Sequence, residues 1–408
     1  MLTKVLVATV LVGSIFHTAP AFSATAITVL TSDQAQTADA KTVAASARIS
    51  VSEASKRLKL QDASALLGKD LREKYRGRLA GIYREWGSTP RYVVRLKGLG
   101  VERARNLSID GGQFQVTFVS GASHTIDELL QARQDHDVEL RAAFPTLQGS
   151  WVDEQTGELV LDVYGASNLK QAGSLATVIA KVPVRVQLSG KFENTDISGS
   201  GTLDIAGGGT CTGGFVVNIF SGNSRFPGMS SAGHCGNGAG IYTTLDGEGT
   251  SLTFAGEQYN ASGDAQWYTA PDDTPWEATF FSDGATKRTQ EWVTFKDSTA
   301  VGDVVCKWGN TSGDSCGEIE SLSYAPQSAS LCNGVTCAAV YVRVKPIGSA
   351  TSLGCAPGDS GGPVFVGGSA VGLVKGCVTA TSSINAERLV YTAIDVLYDN
   401  DVTVMIPF

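Results

Sequence analysis

The first 210 residues of this 408-residue chain contain no cysteine, and the whole chain has only four histidines and three methionines. Positive charge is the scarcer sign: 32 Lys and Arg stand against 40 Asp and Glu, a net of −8. That argues against a nucleic-acid partner, which needs clustered cations facing phosphate. Beyond the first residues no apolar run is long enough to cross a bilayer, which leaves no membrane-spanning segment to expect after the start of the chain. Apolar residues nevertheless make up 42%, enough for substantial cores, and the length calls for two or three domains.

The start of the chain has a different character. Met1 to Lys4 supplies one positive charge, Val5 to Phe16 is almost wholly apolar, and the small residues Ala21, Ser23 and Ala24 follow. The run is short and ends in a cleavage-like region, so residues 1–24 read as a secretory signal rather than an anchor. All eight cysteines (211, 235, 306, 316, 332, 337, 355 and 377) lie in the second half. An even count in one half of an exported chain points to four disulfides. A zinc site is disfavoured, because Leu331 to Cys337 offers no His and no second close pair.

Composition divides the chain near residue 200. Residues 25–199 read as a mixed α/β region. A helix is expected from about Ser50 to Gly87, strands at Arg91–Leu96 and Phe114–Val119, and a second helix over Ile126–Phe144. Gly149–Tyr164 reads as a hairpin turning at Glu154–Gly157. Beyond about Gly190 the chain turns rich in Gly, Ser, Thr and Val. Short strand-like runs appear at Gly214–Ile219, Ala265–Tyr268, Glu277–Phe281, Ala339–Val344 and Ala370–Val374, with one helix pattern at Ala393–Tyr398. That is the mark of a sandwich or barrel. Residues 200–408 hold nine Lys and Arg against twenty Asp and Glu, whereas residues 24–199 hold twenty-two against twenty. Opposite signs suit two halves that dock, and solvated surface charge gives the same imbalance.

Scarce histidine narrows the chemistry. His17 lies in the signal, His124 and His136 in the cysteine-free half, and only His234 in the β-rich half. Imidazole alone titrates near neutrality unperturbed, so His234 is the candidate general base there. Its setting, Ser231-Ala232-Gly233-His234-Cys235, suits a tight turn. Gly358-Asp359-Ser360-Gly361-Gly362-Pro363 suits a nucleophile, since flanking glycines permit a sharp turn that aims backbone N–H groups at an oxyanion. The same residues match G-x-S-x-G, but an α/β-hydrolase needs a histidine after its serine, and none follows Ser360. An acid must orient the imidazole. Asp246, Asp264, Asp272, Asp273 and Asp283 all lie between His234 and Ser360. Asp264 is favoured, because Gly263 to Tyr268 begins an apolar strand-like run that can bury a carboxylate.

Together these motifs resemble the chymotrypsin-like serine proteases, specifically the bacterial branch of streptogrisins and α-lytic protease. Cys211 to Phe215 resembles that branch's first strand, and Gly228 to Cys235 its histidine loop. Gly263 to Tyr268 resembles the aspartate strand, Val305 to Gly317 the disulfide loop, and Gly354 to Pro363 the serine loop. Gly149 to Asp153 with Gly157 to Val160 is similar to the pro-region hairpin. The resemblance implies two antiparallel β-barrels over residues 200–408, preceded by an α/β pro-region at 25–199 that assists folding and then inhibits. It further implies His234 as base, Asp264 as orienting acid, Ser360 as nucleophile, and the Gly358 and Ser360 amides as oxyanion donors. The implied bridges are Cys211–Cys235, Cys306–Cys316 and Cys355–Cys377, which leaves Cys332–Cys337 as an extra local loop. The chain departs from the family where only Lys375 and Gly376 separate Val374 from Cys377, in the stretch that lines the specificity pocket. Lys375 and Gly376 are therefore expected to touch substrate, and the Cys332–Cys337 loop to reshape that rim.

The expectation is a secreted, monomeric serine endopeptidase made as a pre-pro-protein, with maturation somewhere in Ser189–Ala206. Its partners would be protein or peptide substrates and its own pro-region, with no cofactor, metal, nucleic acid or membrane. The competing reading is an inactive protease-like binding or adhesion protein.

Overall fold

Two capped helices follow the short strand Thr28–Leu30 in the first half. Thr31 and Gln34 form a reciprocal capping box at the start of Ser32–Ala47, and the Ser50 hydroxyl accepts the Glu53 N–H at the start of Val51–Tyr75. Each cap satisfies amides that the first helical turn leaves orphaned. The coordinates are a computed structural model describing residues 28–407, apart from 166–167, 195–200, 208, 246, 248, 272–273, 349, 351 and 379–386. The expected signal at 1–24 and residues 195–200 of the expected maturation segment lie outside the described residues.

The charged run read as one helix to Gly87 stops at Tyr75, and Leu79–Glu85 is a strand. Tertiary packing decides this. Leu79 to Ile82 are all buried and pair with Arg91–Lys97. Gly81 presses so closely on the Glu154 backbone that a Cβ would come within 2.0 Å of its carbonyl oxygen. A four-stranded sheet follows in the order Leu79–Glu85, Arg91–Lys97, Gly112–Ala122, Arg105–Ile109. The second expected helix is broken at His136 into Ile126–Asp135 and Asp137–Ala143. The hairpin Leu147–Asp153 and Glu158–Val163 is extended in parallel by Val184–Leu188, after a crossover helix at Leu169–Ala180.

The second half is mainly β. Val304–Gly309, Pro363–Val366, Ser369–Val378, Arg388–Ala393, Tyr341–Pro346 and Gly313–Pro326 pair in that order, and the last returns to the first. This closes a six-stranded antiparallel barrel. The other lobe is an open sheet built on Thr202–Ile205, Thr210–Thr212, Val216–Ser221, Ser224–Ser231, Gly240–Thr243, Gly249–Asn260, Gly263–Thr269 and Val402–Val404. The second half thus has one closed barrel and one half-barrel, rather than the two closed barrels that the resemblance implies. A single core joins the lobes, with Phe215 and Trp267 of one packed in the same cluster as Phe365 and Leu373 of the other.

The two halves of the chain share sheets. Ser150 and Gly149 pair with Ala325 and Pro326, so the hairpin extends the barrel. Thr28–Leu30 runs parallel to Thr286–Thr289. Phe192–Asn194 lies antiparallel to Gly376–Val378. Three buried ion pairs also cross the contact: Arg84–Asp303 at 2.6 Å, Arg288–Asp39 at 2.7 Å and Arg343–Asp162 at 2.6 Å. The contact thus combines shared strands, apolar packing and specific, desolvated ion pairs.

Candidate active site

The histidine sits on a single 3-10 turn, Gly233–Cys235, at the end of the Ser224–Ser231 strand. Gly233 is required by crowding, since a Cβ there would lie 2.8 Å from Tyr259 Cβ and 3.2 Å from the Ala265 amide. Cys235 is bonded to Cys211, which ties the turn to a neighbouring strand. Asp264 enters from Gly263–Thr269, every residue of which but the last is buried. Its Oδ1 accepts the His234 backbone N–H at 3.0 Å, and its Oδ2 lies 2.8 Å from His234 Nδ1. Backbone and ring of one residue are thus both aligned by one carboxylate.

Ser360 arrives from the other lobe, with its Oγ 2.7 Å from His234 Nε2. The loop that carries it turns through Gly358 at φ +105 and Gly361 at φ +83, a backbone region that favours glycine. At Gly361 a side chain would also run into Ser231 Oγ at 2.3 Å. Bonds on every side hold the loop: Thr212 N–H to Ser360 O at 2.7 Å, Thr212 hydroxyl to Gly358 O at 2.9 Å, and Gly361 N–H to Val374 O at 2.8 Å. Cys355 is bonded to Cys377, and the Cys306–Cys316 and Cys332–Cys337 bridges are present too.

Of the other acids between His234 and Ser360, Asp283 caps a turn by accepting the Ala285 and Thr286 amides at 2.8 Å. Asp246, Asp272 and Asp273 lie outside the described residues. His124 bonds Ser123, and His136 marks a helix break, both in the first half.

Lys375 is not placed as a pocket residue. It is fully buried, and its ammonium donates to Asp264 Oδ2 at 2.5 Å and to Leu331 O at 2.6 Å. The side chain crosses to Asp264 of the other lobe, from a position where the register of the Ser369–Val378 strand against Arg388–Ala393 shifts, between Val374 and Gly376. Gly376 pairs through its backbone with Asn194 of the first half. The segments flanking the Cys332–Cys337 loop supply the Leu331 carbonyl and are stitched to the aspartate hairpin by Tyr259 OH to Ser330 O at 2.7 Å and Ala338 N–H to Ala261 O at 2.8 Å. They therefore buttress the carboxylate from behind.

Burial alone pushes the Asp264 carboxyl up, but His234 and Lys375 outweigh it and hold it well below the ordinary carboxylate range. Burial pulls the Lys375 ammonium down from the usual lysine value, against the opposing pull of Asp264.

A second buried lysine was not singled out from the sequence. Lys307 places Nζ 3.1 Å from Asp359 Oδ2, and also bonds Gly354 O at 2.7 Å and Gly313 O at 2.9 Å. Asp359 further accepts from the Ser312 hydroxyl and from the amides of Ser312 at 3.2 Å and Ala356 at 3.1 Å. The signal for it was one lysine amid Val304, Val305 and Trp308, in a strand too apolar to leave a charge unpaired. A group poised against a hydroxyl, with a carboxylate behind it and a glycine-shaped loop around it, can carry out nucleophilic acyl transfer.

Among solved structures, the fold is similar to a glutamic acid specific serine protease (21% identity, TM-score 0.39, 51% of this chain and 100% of that one). It is also similar to Cellulomonas bogoriensis chymotrypsin (23%, 0.38, 52% and 100%) and Thermobifida fusca protease A (22%, 0.39, 52% and 99%). No family model matches the chain. In sequence it is 31% identical over 188 residues to Streptogrisin-C of Streptomyces griseus, an alignment covering 44% of this chain and 35% of that protein. The chain thus spans about a third of the curated relative it matches. Over that alignment, and in the order of its histidine, aspartate and serine motifs, the chain is similar to the streptogrisin branch of the chymotrypsin-like serine proteases.

Proposed function

We propose that this protein is a secreted serine endopeptidase, made as a pre-pro-protein, that uses Ser360, His234 and Asp264 as its catalytic triad. The observation that carries the reading is His234 held between two partners, 2.8 Å from Asp264 and 2.7 Å from Ser360. Ser360 Oγ attacks the scissile carbonyl carbon while His234 Nε2 takes its proton. The Gly358 and Ser360 amides stabilise the oxyanion, each such donor contributing about 3 kcal/mol in related chemistry. The C–N bond then breaks, His234 protonates the departing amine, and water repeats the sequence to release the acid. This chemistry needs no metal or organic cofactor.

Residues 25–199 act in this reading as a pro-region that is both folding assistant and inhibitor. Support comes from Phe192–Asn194, whose backbone takes the edge of the Gly376–Val378 strand as an extended peptide would. Barrels assembled from distant strands also fold slowly, which gives a template something to accelerate. Export is supported by four disulfides in one half. Among the described residues, no helix is long and apolar enough to cross a membrane.

The test is to express the full chain with and without Ser360→Ala and to treat both with a serine-directed phosphonylating reagent. The parent should hydrolyse peptides and take up one label at Ser360, whereas the variant should fold, stay unlabelled and lose turnover. Parent-rate hydrolysis by Ser360→Ala would refute the assignment.

A further inference from the structure

Asp264 is met by three donors, and one of them is a cation on which the acyl-transfer scheme does not call. Lys375 Nζ and His234 Nδ1 converge on the same carboxylate oxygen, at 2.5 and 2.8 Å. Lys375 comes from a strand whose ten residues are all buried. Withdrawing an ammonium from water costs several kcal/mol, and packing alone would be served by a methionine or leucine. A neutral hydroxyl would satisfy the carboxylate's spare lone pair without a charge.

The surroundings are built for that charge. The Leu331 carbonyl takes a second N–H at 2.6 Å. The rings of Tyr341 and Tyr259 lie 4.8 and 5.9 Å from Nζ, within the range of cation–π attraction. Leu331 immediately precedes Cys332, and the Cys332–Cys337 bridge anchors the residue bonded to the ammonium's acceptor.

We propose that Lys375 is a positioning residue of the reaction, which holds the Asp264 carboxylate aimed at His234 and competes with the ring for one of its oxygens. The inference rests on the proposed protease activity. Its physical content is competition. When His234 takes the proton of Ser360, the new imidazolium must share one carboxylate oxygen with a cation already there. The carboxylate therefore stabilises the imidazolium less than it would alone, so exchanging Lys375 for a neutral side chain should be read in the pH dependence of activity. The titratable groups facing His234 are Asp264 on the neighbouring strand, Ser360 on the serine loop, Tyr259 on the Gly249–Asn260 strand at 6.3 Å between rings, and Lys375 behind the carboxylate. Tyr341 faces the lysine from the Tyr341–Pro346 strand.

The experiment compares the pH dependence of kcat/KM for enzyme expressed from the full chain as parent, Lys375→Met and Lys375→Arg, each normalised by titrating Ser360 with the phosphonylating reagent. Lys375→Met is expected to move the acid limb to higher pH by about one to two units, a 10- to 100-fold loss on that limb. Lys375→Arg, which keeps the cation, is expected to leave the limb in place. A Met variant with lower kcat but an unmoved limb would make Lys375 a packing residue and overturn the proposal. Should neither variant accumulate, nitrogen-15 NMR of lysine Nζ in the parent decides. A slowly exchanging ammonium at pH 7 supports the proposal, and a neutral buried amine overturns it. Failure of the protease reading shows separately, as a parent chain that neither hydrolyses peptides nor takes up the label.

Discussion

Lys307 and Asp359 form a fully buried ion pair, Nζ to Oδ2 3.1 Å, one residue before Ser360. Every acceptor of that ammonium lies in a loop that meets the serine turn, so the lysine acts as a bolt through it. Removing one member of a buried pair leaves the other charge stranded, at about 3 to 5 kcal/mol. Lys307→Met is therefore expected to lower stability by that amount. It should also lower kcat/KM by about 100-fold or more, because the proposed oxyanion donors Gly358 and Ser360 flank Asp359 directly. Thermal melts and Ser360 titration check the two effects independently. Parent-like activity in a folded variant would show that the loop is held by its glycines and its disulfide alone.

Asp264 links stability to pH with a definite sign. Its folded carboxyl titrates below the unfolded value of about 3.9. The stabilisation is thus complete above about pH 4 and drains away as pH falls through the folded value. In a Ser360→Ala background, which prevents self-cleavage, the urea midpoints of parent and Asp264→Asn should differ most above pH 4 and converge toward pH 2. A gap that stayed constant into acid would mean that the carboxylate's charge contributes nothing to the fold.

The Cys332–Cys337 bridge closes a short loop, with a sequence separation of 5. Chain entropy gives it about 2 kcal/mol. Its position adds a catalytic consequence, since Leu331 O is the second acceptor of the ammonium bonded to Asp264. Cys332→Ser with Cys337→Ser is expected to lower Tm by several degrees and kcat by several-fold, while KM stays near the parent value because the loop lies behind the histidine. A change confined to KM would place the loop at the substrate rim instead.

That rim was where the sequence had put Lys375, and the misplacement is instructive. The motifs around His234 and Ser360 were legible because turns demand glycine at particular positions, and the demand is local. The direction of a strand side chain depends on register with a partner strand, which spacing alone does not give. A lysine between Val374 and Gly376, in a run buried throughout, nevertheless carried a readable signal: such a charge needs a counter-charge. The strand at Leu79–Glu85 was illegible for the opposite reason. Its charge-rich approach from the Val51–Tyr75 helix continues a helical composition, and only the close contact of Gly81 with Glu154, far off in sequence, settles it as sheet.

The pairing of Arg84 with Asp303 offers a test of how the two halves hold together. The guanidinium donates to Asp303 at 2.6 Å, Ser64 at 2.7 Å and Tyr92 OH at 2.6 Å, and Asp303 also accepts the Ala300 amide at 2.9 Å. Each partner thus organises its own half as well as the contact. In the full chain carrying Ser360→Ala, Asp303→Asn or Arg84→Met alone should lose about 3 to 5 kcal/mol by stranding a buried charge. The pair Arg84→Met with Asp303→Leu should lose much less than the sum, since two apolar side chains leave no charge to desolvate. Urea unfolding of the four proteins completes the cycle. Additive losses would mean that the ion pair is incidental to the contact, and that the shared sheet at Ser150 and Ala325 carries it.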